Sequence, residues 1–399
     1  MNVRIIPGRA CGTLCAPPSK SAAHRLLICG ALAGSSTIGG LELSEDILAT
    51  LDCLSALGYK FDLDGSTVRF TGKTAGHGDL YCRESGSTLR FMIPIALLEN
   101  KAKTLRGSSR LLERPLTVYE DVFEKNAIIY ERGDEFITID GALKSGDYSL
   151  PANVSSQFIT GLLFVLPLLD GDSKITLTDE LQSLSYVDLT IETLSAFGVI
   201  IEREGDRVLK IKGGSKYEPR DLTVEGDWSN AAFFEALNSL GSTVEVTGLR
   251  QDSLQGDRVC IDLFSRLCED TPVISIADCP DLAPILMTVA AAKNGAVFTD
   301  TKRLKIKESD RGNVMAQELK KFGADVEVEK NRIIVKKAPL HAPKETIVSH
   351  NDHRVAMSIS ILGTLYGCEI AGAECVRKSL PSFYDLLSSL NIEVQKYEA

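Results

Sequence analysis

Strongly apolar stretches recur along the chain, and each is bounded by polar residues in a similar way. The first spans positions 18–44 and reads PSKSAAHRLLICGALAGSSTIGGLELS. Its apolar run from Ala22 to Ala33 stops at Gly34, and the strand-like TIGG and a polar turn follow. A run that is apolar on all sides predicts a helix buried in a core, and a Ser or Asp before it is a typical helix cap. Five later stretches with this plan begin near Ser85, Ser155, Asp227, Asp281 and Asn351.

A second recurring segment lies between these runs. It consists of an amphipathic helix that often ends at a glycine, followed by a strand, a polar turn and another strand. Three copies read TLDCLSALGYKFDLDGSTVRFTG, TIETLSAFGVIIEREGDRVLKIKGG and MAQELKKFGADVEVEKNRIIVKKA, and LTVYEDVFEKNAIIYERGDEFITIDG is a looser one. The regions from Ile261 and from Tyr384 are degenerate or split versions. Together the two segments predict an α/β protein of six βαβαββ-like units of roughly 65 residues each.

The two ends of the chain predict how these units are grouped. Residues 3–16 read as two short strands, and the sixth unit lacks a second strand of its own. We therefore expect the N-terminal strands to pair with a C-terminal strand at 392–396. Residues 19–226 then form one lobe of three units, and residues 1–18 with 227–399 form the other. Both crossings between the lobes are turn-rich, as hinges should be.

Polar and cationic residues stand where the apolar helices begin. A helix start offers free N–H groups and a partial positive charge, so it is suited to bind an anion. Ser21 and Arg25, like Gly86 and Arg90, are four residues apart and share a helix face. If several such starts converge, they form a pocket for a small molecule with several negative charges; alternatively, the serines and aspartates are only N-caps. The residues concerned are Lys20, Ser21, Arg25, Gly86, Ser87, Arg90, Ser155, Ser156, Gln157, Asp227, Asp281, Asp352, His353 and Arg354.

The segment LRGSSRLLERPL carries three arginines, at positions 106, 110 and 114. On a helix they would form a basic stripe, usually a solvated face. Gly107 and Pro115 favour a loop instead. An arginine of such a loop, aimed at a bound anion, is one of the two interpretations that the spacing allows.

The segment TKRLKIKESDRG crowds charges at a predicted junction between a strand and a helix. Strand alternation places Lys305 and Lys307 on one face, and Glu308 and Arg311 lie three residues apart at the helix start. One interpretation is simple capping of the helix. In the interpretation that we favour, Glu308 is a general acid or base with a raised pKa, and Arg311 binds a carboxylate.

Composition excludes several classes of protein. The 399-residue chain has a formal net charge of -10, whereas nucleic-acid and membrane-surface partners require a basic face. The first residues contain no apolar core of signal-peptide length, and the longest apolar run, 158–169, is interrupted and too short to span a bilayer. The ten cysteines form no CxxC pair, and the five histidines lack metal-ligand spacing. We expect reduced cysteines, no metal and a cytoplasmic protein.

The order of short motifs along the chain resembles one known family. PSKSAAHR, SGSTLR, LLERP, SSQF, EGDWSN, PDLAP, IKESDR, NDHR and VRKSLPSF follow one another over nearly the whole chain, as far as Phe383. In order and spacing they resemble the 5-enolpyruvylshikimate-3-phosphate synthases, and KESDR followed by NDHR is very specific. The resemblance implies the inside-out α/β barrel fold of enolpyruvyl transferases, with two lobes of three βαβαββ units that close over the substrates.

The resemblance also implies a reaction. The enolpyruvyl group of phosphoenolpyruvate passes to the 5-hydroxyl of shikimate 3-phosphate, and inorganic phosphate is released, on the route to chorismate and the aromatic amino acids. These two small molecules are the expected partners, with no nucleic acid, no membrane, no metal and no organic cofactor. A monomer is the family expectation.

Roles for individual residues follow from the same resemblance. Asp281 is expected to accept the 5-hydroxyl proton, while Glu308 with Lys20 protonates the methylene carbon and later removes a proton from it. Shikimate 3-phosphate is expected to contact Lys20, Ser21, Arg25, Ser155, Ser156, Gln157, Ser183, Asp281 and Lys307. Phosphoenolpyruvate is expected to contact Lys20, Gly86 through its backbone, Arg114, Gln157, Glu308, Arg311, Arg354 and Lys378.

The chain departs from the common family pattern at three positions. Glu84 stands where many members have Asn, Phe91 follows Arg90 where many have Pro, and Arg303 replaces an Asn found in some. These changes bear on the shape of the phosphoenolpyruvate pocket and on sensitivity to glyphosate, which resembles that substrate. They leave the expected reaction unchanged, and Gly86 is retained.

Two rival functions are open. UDP-N-acetylglucosamine enolpyruvyl transferases have a similar fold and the same donor, but they use a cysteine in a flexible loop as the acid, and residues 106–115 contain no cysteine. A non-catalytic module that binds phosphorylated metabolites needs the cationic cage but neither an acid nor a base. The presence of both Asp281 and Glu308 favours the enzyme.

Overall fold

The computed structural model describes residues 1–398. The chain divides into two compact units: Lys20–Glu225, the central unit, and Met1–Ser19 with Gly226–Ala399, the split unit. The chain therefore passes between the units twice. In the split unit the residues beside the two crossings are paired, since the Asp227 N–H donates to the Pro17 carbonyl at 2.8 Å.

Helices and strands are interspersed along the described residues. The α-helices are α1 (Lys20–Ala33), α2 (Glu45–Ala56), α3 (Gly86–Ala96), α4 (Ser109–Glu113), α5 (Thr117–Asn126), α6 (Ser156–Val165), α7 (Leu184–Ala196), α8 (Trp228–Ser239), α9 (Cys260–Glu269), α10 (Ala283–Ala292), α11 (Arg311–Lys321), α12 (His353–Tyr366) and α13 (Phe383–Ser389). Short 3-10 helices span Leu97–Glu99, Leu166–Leu168, Gly256–Val259, Pro280–Leu282, Thr301–Ile306 and Ala373–Lys378.

The strands are short, and each belongs to one of the two units. Those of the central unit are β3 (Thr37–Gly39), β4 (Tyr59–Asp64), β5 (Thr67–Lys73), β6 (Asp79–Tyr81), β7 (Lys103–Arg106), β8 (Ile129–Arg132), β9 (Phe136–Asp140), β10 (Asp147–Pro151), β11 (Ser173–Thr178), β12 (Ile201–Glu204), β13 (Val208–Ile211) and β14 (Asp221–Thr223). Those of the split unit are β1 (Asn2–Ile5), β2 (Cys11–Cys15), β15 (Thr243–Thr247), β16 (Val273–Ser275), β17 (Gly295–Thr299), β18 (Asp325–Val328), β19 (Arg332–Lys336), β20 (Ile347–Val348), β21 (Cys368–Ala371) and β22 (Val394–Tyr397).

Each complete repeat builds one four-stranded sheet. In the order β6-β7-β9-β8, the first two strands are parallel and the last two form an antiparallel hairpin. Parallel strands need a crossover connection, which α3 supplies between β6 and β7. The sheets β10-β11-β13-β12 and β16-β17-β19-β18 have the same strand order. The predicted βαβαββ repeat is confirmed in these three sheets.

Three sheets take strands from distant parts of the sequence. In β14-β3-β5-β4, the outer strand β14 comes from the end of the central unit. In β20-β21-β1-β22, β1 pairs with β22 and places Val3 opposite Lys396, which confirms the predicted partner of the first strand. The prediction is wrong for the second strand, because β2 pairs in parallel with β15 in a separate two-stranded sheet. The physical reason is the crossover: α8 leads directly into β15 and returns the chain parallel to β2.

The apolar helices occupy the core of each unit. In α1 every residue from Ala22 to Ala31 is buried, and in α3 every residue from Thr88 to Ala96 is. The helices α10 and α12 of the split unit are buried in the same way. Strands such as β9 and β11 bury alternate residues only, so one face of each sheet packs on the helices. Helices therefore form the inside of each unit, and sheets cover them.

Two local predictions are wrong. The segment after β7, predicted as a loop, contains the helix α4, because the Ser108 side chain caps it by accepting from the Leu111 N–H at 3.2 Å. The segment before Lys307, predicted as a strand, is the 3-10 helix Thr301–Ile306. The alternation argument that placed Lys305 and Lys307 on one face therefore does not apply.

Among residues 1–398, no helix combines the length and the apolar character needed to cross a bilayer. All ten cysteines lie in the described residues and are free thiols.

Candidate active site

The predicted site residues fall into two polar clusters, one in each unit. The Lys20 cluster lies at the starts of α1, α3, α6 and α7 and at the end of α4 in the central unit. It consists of Lys20, Ser21, Arg25, Gly86, Arg114, Ser155, Ser156, Gln157 and Ser183. The Asp281 cluster lies at the starts of α10, α11 and α12 and at the ends of two 3-10 helices in the split unit. It consists of Asp281, Lys307, Glu308, Arg311, Arg354 and Lys378.

Arg25 ties three helices of the Lys20 cluster together. Within α1 its Nη1 donates to the Ser21 carbonyl at 2.7 Å, and its Nε donates to Thr190 Oγ1 of α7 at 2.9 Å. Its Nη2 donates to the Tyr186 carbonyl at 3.0 Å and reaches Thr160 Oγ1 of α6 at 3.5 Å. Burial lowers the pKa of Arg25 to about 10, so the guanidinium is still charged at neutral pH. A buried positive charge therefore stands beside Ser21 at the start of α1.

Gln157 joins the starts of α6 and α3. Its Oε1 accepts from Arg90 Nη1 at 2.6 Å, and its Nε2 donates to Ser87 Oγ at 2.8 Å. Ser155 caps α6, because its Oγ accepts from the Gln157 N–H at 3.3 Å. The N-terminal N–H groups of two buried helices consequently face one region of the central unit.

Arg114 packs against the first residue of α3. It is the C-terminal cap of α4, and a β-carbon placed on Gly86 would lie only 2.3 Å from Arg114 Nη1. No side chain fits in that space, so a glycine is required for the guanidinium to reach the start of α3. The glycine at position 86 is thus explained by its contact with Arg114 rather than by a positive φ.

Lys20 is held by a carboxylate that the sequence analysis did not single out. Its Nζ lies 2.9 Å from Asp46 Oδ2 in the first turn of α2. The Asp46 carbonyl accepts from Thr88 Oγ1 of α3 at 3.3 Å, which places the ion pair between α1 and α3. In sequence, Asp46 follows the cap Ser44 and is indistinguishable from an ordinary acidic residue of a first helical turn.

Ser183 and Ser156 complete the Lys20 cluster at α7 and α6. Ser183 is fully buried and adopts a left-handed conformation, with φ of 56°, directly before α7. Such a conformation is uncommon for a residue other than glycine. Ser156 is the first residue of α6 and is also buried.

Arg311 is the centre of the Asp281 cluster. Its Nε lies 2.8 Å from Asp352 Oδ2 and its Nη1 lies 2.8 Å from Asp281 Oδ1, while its Nη2 pairs with Glu308. Ser309 also donates to Asp352 Oδ2, at 2.9 Å. Burial opposes the charge of Arg311, but the three carboxylates raise its pKa above the ordinary value. One guanidinium therefore organises three carboxylates that come from three helix starts.

Asp281 is surrounded by positive charge. Lys307 Nζ lies 3.0 Å from its Oδ1, and Arg354 donates to its backbone carbonyl at 3.1 Å and approaches its Oδ2 at 3.5 Å. Burial would raise the pKa of Asp281, but Arg354, Lys307 and Arg311 together hold that pKa well below its usual value. The carboxylate is therefore ionised at neutral pH.

Lys307 pairs with Asp281, yet its own charge is weakened. Burial is the largest effect and lowers the pKa of Lys307 to about 8, although Asp281 acts in the opposite direction. The ammonium therefore loses its proton only slightly above neutral pH.

Lys378 lies at the end of the 3-10 helix Ala373–Lys378 and is buried. Its Nζ donates to the Asn351 carbonyl at 2.6 Å, one residue before the Asp352 that holds Arg311. The Asp352 side chain also caps α12 by accepting from the Arg354 N–H at 3.0 Å. Lys378, Arg311 and Arg354 are thus all positioned by one turn.

A second acidic residue near Asp281 was not found from the sequence. Asp257 lies in the 3-10 helix Gly256–Val259 and is buried. Burial and the negative charge of Asp281 raise the pKa of Asp257 to about 7, and Arg354 opposes this shift. Nothing in the surrounding SLQGDR distinguishes this residue from a surface turn, so no local signal could have revealed it.

Each cluster combines fixed cations with helix starts, and the Asp281 cluster adds carboxylates. Arginines held in this way bind carboxylate and phosphate groups through paired hydrogen bonds. Carboxylates beside them can take up or deliver protons. Across residues 1–398, the His, Cys, Asp and Glu side chains form no group of three or more that could hold a metal ion.

The fold is that of the enolpyruvyl transferases. An EPSP synthase from Acinetobacter baumannii matches with a TM-score of 0.80 and 25% identity, covering 99% of this chain and 100% of that one. The enolpyruvyl transferase NikO from Streptomyces tendae matches with a TM-score of 0.77 and 14% identity, over 99% of this chain and 98% of that one. These likenesses confirm the predicted two-lobed, inside-out α/β barrel class.

Sequence comparison narrows this class to one family. The model of the EPSP synthase (3-phosphoshikimate 1-carboxyvinyltransferase) family matches residues 6–270 and 267–387. The 3-phosphoshikimate 1-carboxyvinyltransferase of Clostridium kluyveri is 40% identical over 99% of this chain and 98% of its own length. That of Clostridium perfringens is 39% identical over 98% of each chain. The chain therefore belongs to the EPSP synthase family of transferases.

Proposed function

We propose that the protein transfers the carboxyvinyl group of phosphoenolpyruvate to the 5-hydroxyl of shikimate 3-phosphate, giving 5-enolpyruvylshikimate 3-phosphate and inorganic phosphate. The observation that carries this proposal is the Asp281 cluster, in which two carboxylates suited to proton transfer are held by Lys307, Arg311 and Arg354. Family membership over the whole chain supports the same reaction.

The reaction is an addition followed by an elimination. The 5-hydroxyl oxygen bonds to C2 of phosphoenolpyruvate, the hydroxyl proton leaves to a base, and the methylene carbon gains a proton. The resulting tetrahedral intermediate then loses phosphate from C2 and a proton from the methyl group, which restores the double bond. One site must therefore both give and take protons.

Asp281 is the proposed acceptor of the 5-hydroxyl proton. The surrounding cations keep its carboxylate ionised, so that it is ready to accept a proton. The same cations also weaken it as a base, and the negative charge of a bound phosphate ester would offset part of that effect. Glu308, with Lys20, is the proposed group that protonates and then deprotonates the methylene carbon.

The binding roles divide by the charge that each substrate carries. For shikimate 3-phosphate, helix starts and hydroxyl groups suit the phosphate and the ring, and the proposed contacts are Lys20, Ser21, Arg25, Ser155, Ser156, Gln157, Ser183, Asp281 and Lys307. For phosphoenolpyruvate, guanidinium and ammonium groups suit the phosphate and the carboxylate, and the proposed contacts are Lys20, Gly86, Arg114, Gln157, Glu308, Arg311, Arg354 and Lys378.

We also propose that these two small molecules are the enzyme's partners, that it works as a monomer in the cytoplasm, and that it uses neither a metal nor an organic cofactor. The free state of all ten cysteines supports a reducing compartment.

Phosphate release tests the proposed function. The purified enzyme is given phosphoenolpyruvate with either shikimate 3-phosphate or UDP-N-acetylglucosamine, and free phosphate is measured over time. Release that depends on shikimate 3-phosphate is the expected result. Phosphate release only in the presence of the UDP-sugar would establish the rival transferase. If neither acceptor causes phosphate release, any transfer function is contradicted.

A further inference from the structure

A buried carboxylate on α11 is fully engaged with the chain that leads into α12. Glu318 is wholly buried and lies two helical turns after Arg311, on the same side of α11. Its Oε1 accepts from His350 Nε2 at 2.9 Å, and its Oε2 accepts from the Val348 N–H at 3.0 Å and from Lys321 Nζ at 2.7 Å. A buried carboxylate is costly unless it is hydrogen-bonded, and these bonds satisfy it.

His350 belongs to a tight turn, Ser349–Asp352, called here the His350 turn. His350 and Asn351 are consecutive residues in the left-handed region, with φ of 52° and 54°. Two neighbouring non-glycine residues in this conformation are uncommon and persist only when the surroundings determine it. Ser349 holds the near end of the turn, because its Oγ donates to the Gly372 carbonyl at 2.8 Å. The Glu318–His350 bond holds its middle.

The His350 turn delivers two groups to the Asp281 cluster. The Asn351 carbonyl accepts from Lys378 Nζ at 2.6 Å. The next residue, Asp352, binds Arg311 through both of its carboxylate oxygens, at 2.8 and 3.3 Å. A change in the backbone at His350 would therefore move the carbonyl that orients Lys378 and the carboxylate that orients Arg311.

We propose that Glu318 and His350 are positioning residues for phosphoenolpyruvate: they hold the left-handed His350 turn so that Asn351 and Asp352 orient Lys378 and Arg311. This proposal rests on the proposed function, in which those two cations bind phosphoenolpyruvate. Neither Glu318 nor His350 has a part in the chemistry itself. Their effect should appear in binding of one substrate and not in binding of the other.

Steady-state kinetics of three variants test the proposal. We expect His350→Ala to raise the KM for phosphoenolpyruvate by about tenfold and to leave the KM for shikimate 3-phosphate within about twofold. His350→Gln keeps a side-chain N–H that can donate to Glu318, and we expect it to restore most of the lost affinity. The matched control is His341→Ala, which removes an exposed histidine of the same unit and should leave both constants unchanged.

Two results would overturn the proposal. One is an unchanged KM for phosphoenolpyruvate in His350→Ala. The other is an equal loss for both substrates that His350→Gln fails to rescue, which would assign the pair to general stability.

A crystal structure of His350→Ala gives a readout that does not depend on activity. We expect Lys378 Nζ to leave the Asn351 carbonyl, and a retained contact near 2.6 Å contradicts the positioning role. Inactivity of the wild-type enzyme would count against the proposed function alone, because this structural comparison still decides the role of the turn.

Discussion

Arg311 and Asp352 face each other through a two-pronged contact between α11 and the start of α12. The Nε and Nη2 atoms of Arg311 lie 2.8 and 3.3 Å from the two oxygens of Asp352, and both side chains are almost completely buried. The contact joins the last two repeats of the split unit. It also leaves Nη1 of Arg311 directed at Asp281. The guanidinium therefore joins two helices through Asp352 and belongs to the candidate site through Asp281.

Asp352→Asn should test this double role. The change leaves Arg311 with one carboxylate fewer in a buried place, and removal of one partner of a buried pair costs roughly 3 kcal/mol of unfolding free energy. Urea denaturation measures this loss, and steady-state kinetics should show weaker use of phosphoenolpyruvate. The control is Asp310→Asn, which removes a charge from the half-buried side chain that caps α11 but keeps a good N-cap. Equal stabilities of the two variants would contradict the prediction.

Glu308→Gln should abolish proton transfer while it retains binding. We expect kcat to fall by about 10²–10⁴-fold, the range for loss of a general acid or base. Calorimetric titration with shikimate 3-phosphate should give an affinity close to that of the wild type. Glu345→Gln, an exposed change in the same unit, serves as the control. Turnover at the wild-type rate in Glu308→Gln would remove this residue from the mechanism.

Gly86→Ala should displace Arg114. The added methyl group would meet Arg114 Nη1 at 2.3 Å, so the guanidinium must move away from the start of α3. We expect the KM for phosphoenolpyruvate to rise by about tenfold or more, since one charged hydrogen bond to the ligand is worth roughly that factor. The KM for shikimate 3-phosphate, measured in the same assay, is the internal control. A rise in both constants by the same factor would indicate a general distortion of α3.

Deprotonation of Lys307 should lower the activity of the enzyme at alkaline pH. Burial lowers the pKa of Lys307 to about 8, so its positive charge is present below that pH and is lost as the pH rises through it. The value of kcat/KM for shikimate 3-phosphate should therefore fall above about pH 8, because this ratio reports ionisations of the free enzyme. Lys307→Arg keeps the charge and should move this fall to higher pH. A profile that is the same in both enzymes would assign the fall to another group.

Asp257→Asn should stabilise the protein, and more strongly at high pH. The pKa of Asp257 is raised to about 7 when folded, whereas an unfolded aspartate titrates near 3.9. Between these values the folded state holds the extra proton, so the contribution of this group to stability is lost as the pH rises towards 7. We expect the gain from Asp257→Asn to be about 3 kcal/mol larger at pH 8 than at pH 5. Denaturation at both pH values measures it, with the exposed Asp262→Asn as control; a gain that does not depend on pH would be the contrary result.

Much of the fold could be predicted from the hydrophobic periodicity of the sequence and from the polar and glycine residues that bound each apolar run. Apolar runs coincide with five buried helices, because a helix that is apolar on all sides is stable in water only when it is buried. These helices are α1, α3, α6, α10 and α12. The missing strand of the last repeat correctly predicted that β1 pairs with β22. The position of β2 could not be predicted in this way, since its partner β15 depends on a crossover that begins after the whole central unit.

Residues of the candidate site could be proposed from the sequence where capping residues and cations share a helix start. Lys20, Arg25, Arg311 and Arg354 were found on that basis. Three acidic residues described above were not found from the sequence, because Asp46, Asp257 and Glu318 look locally like ordinary turn or helix residues. A carboxylate that orients a site through tertiary contacts is not marked by periodicity or a motif in the sequence around it, so only the three-dimensional arrangement identifies it.

The place of β1 between β21 and β22 separates the order of synthesis from the order of assembly. A ribosome makes β1 long before its two neighbours, and at about 5–20 residues per second the strand waits on the order of a minute for them. During that time the continuous central unit can emerge and fold, whereas both edges of β1 stay unpaired. In the cell, a chaperone that covers these two edges would keep β1 from pairing with another chain.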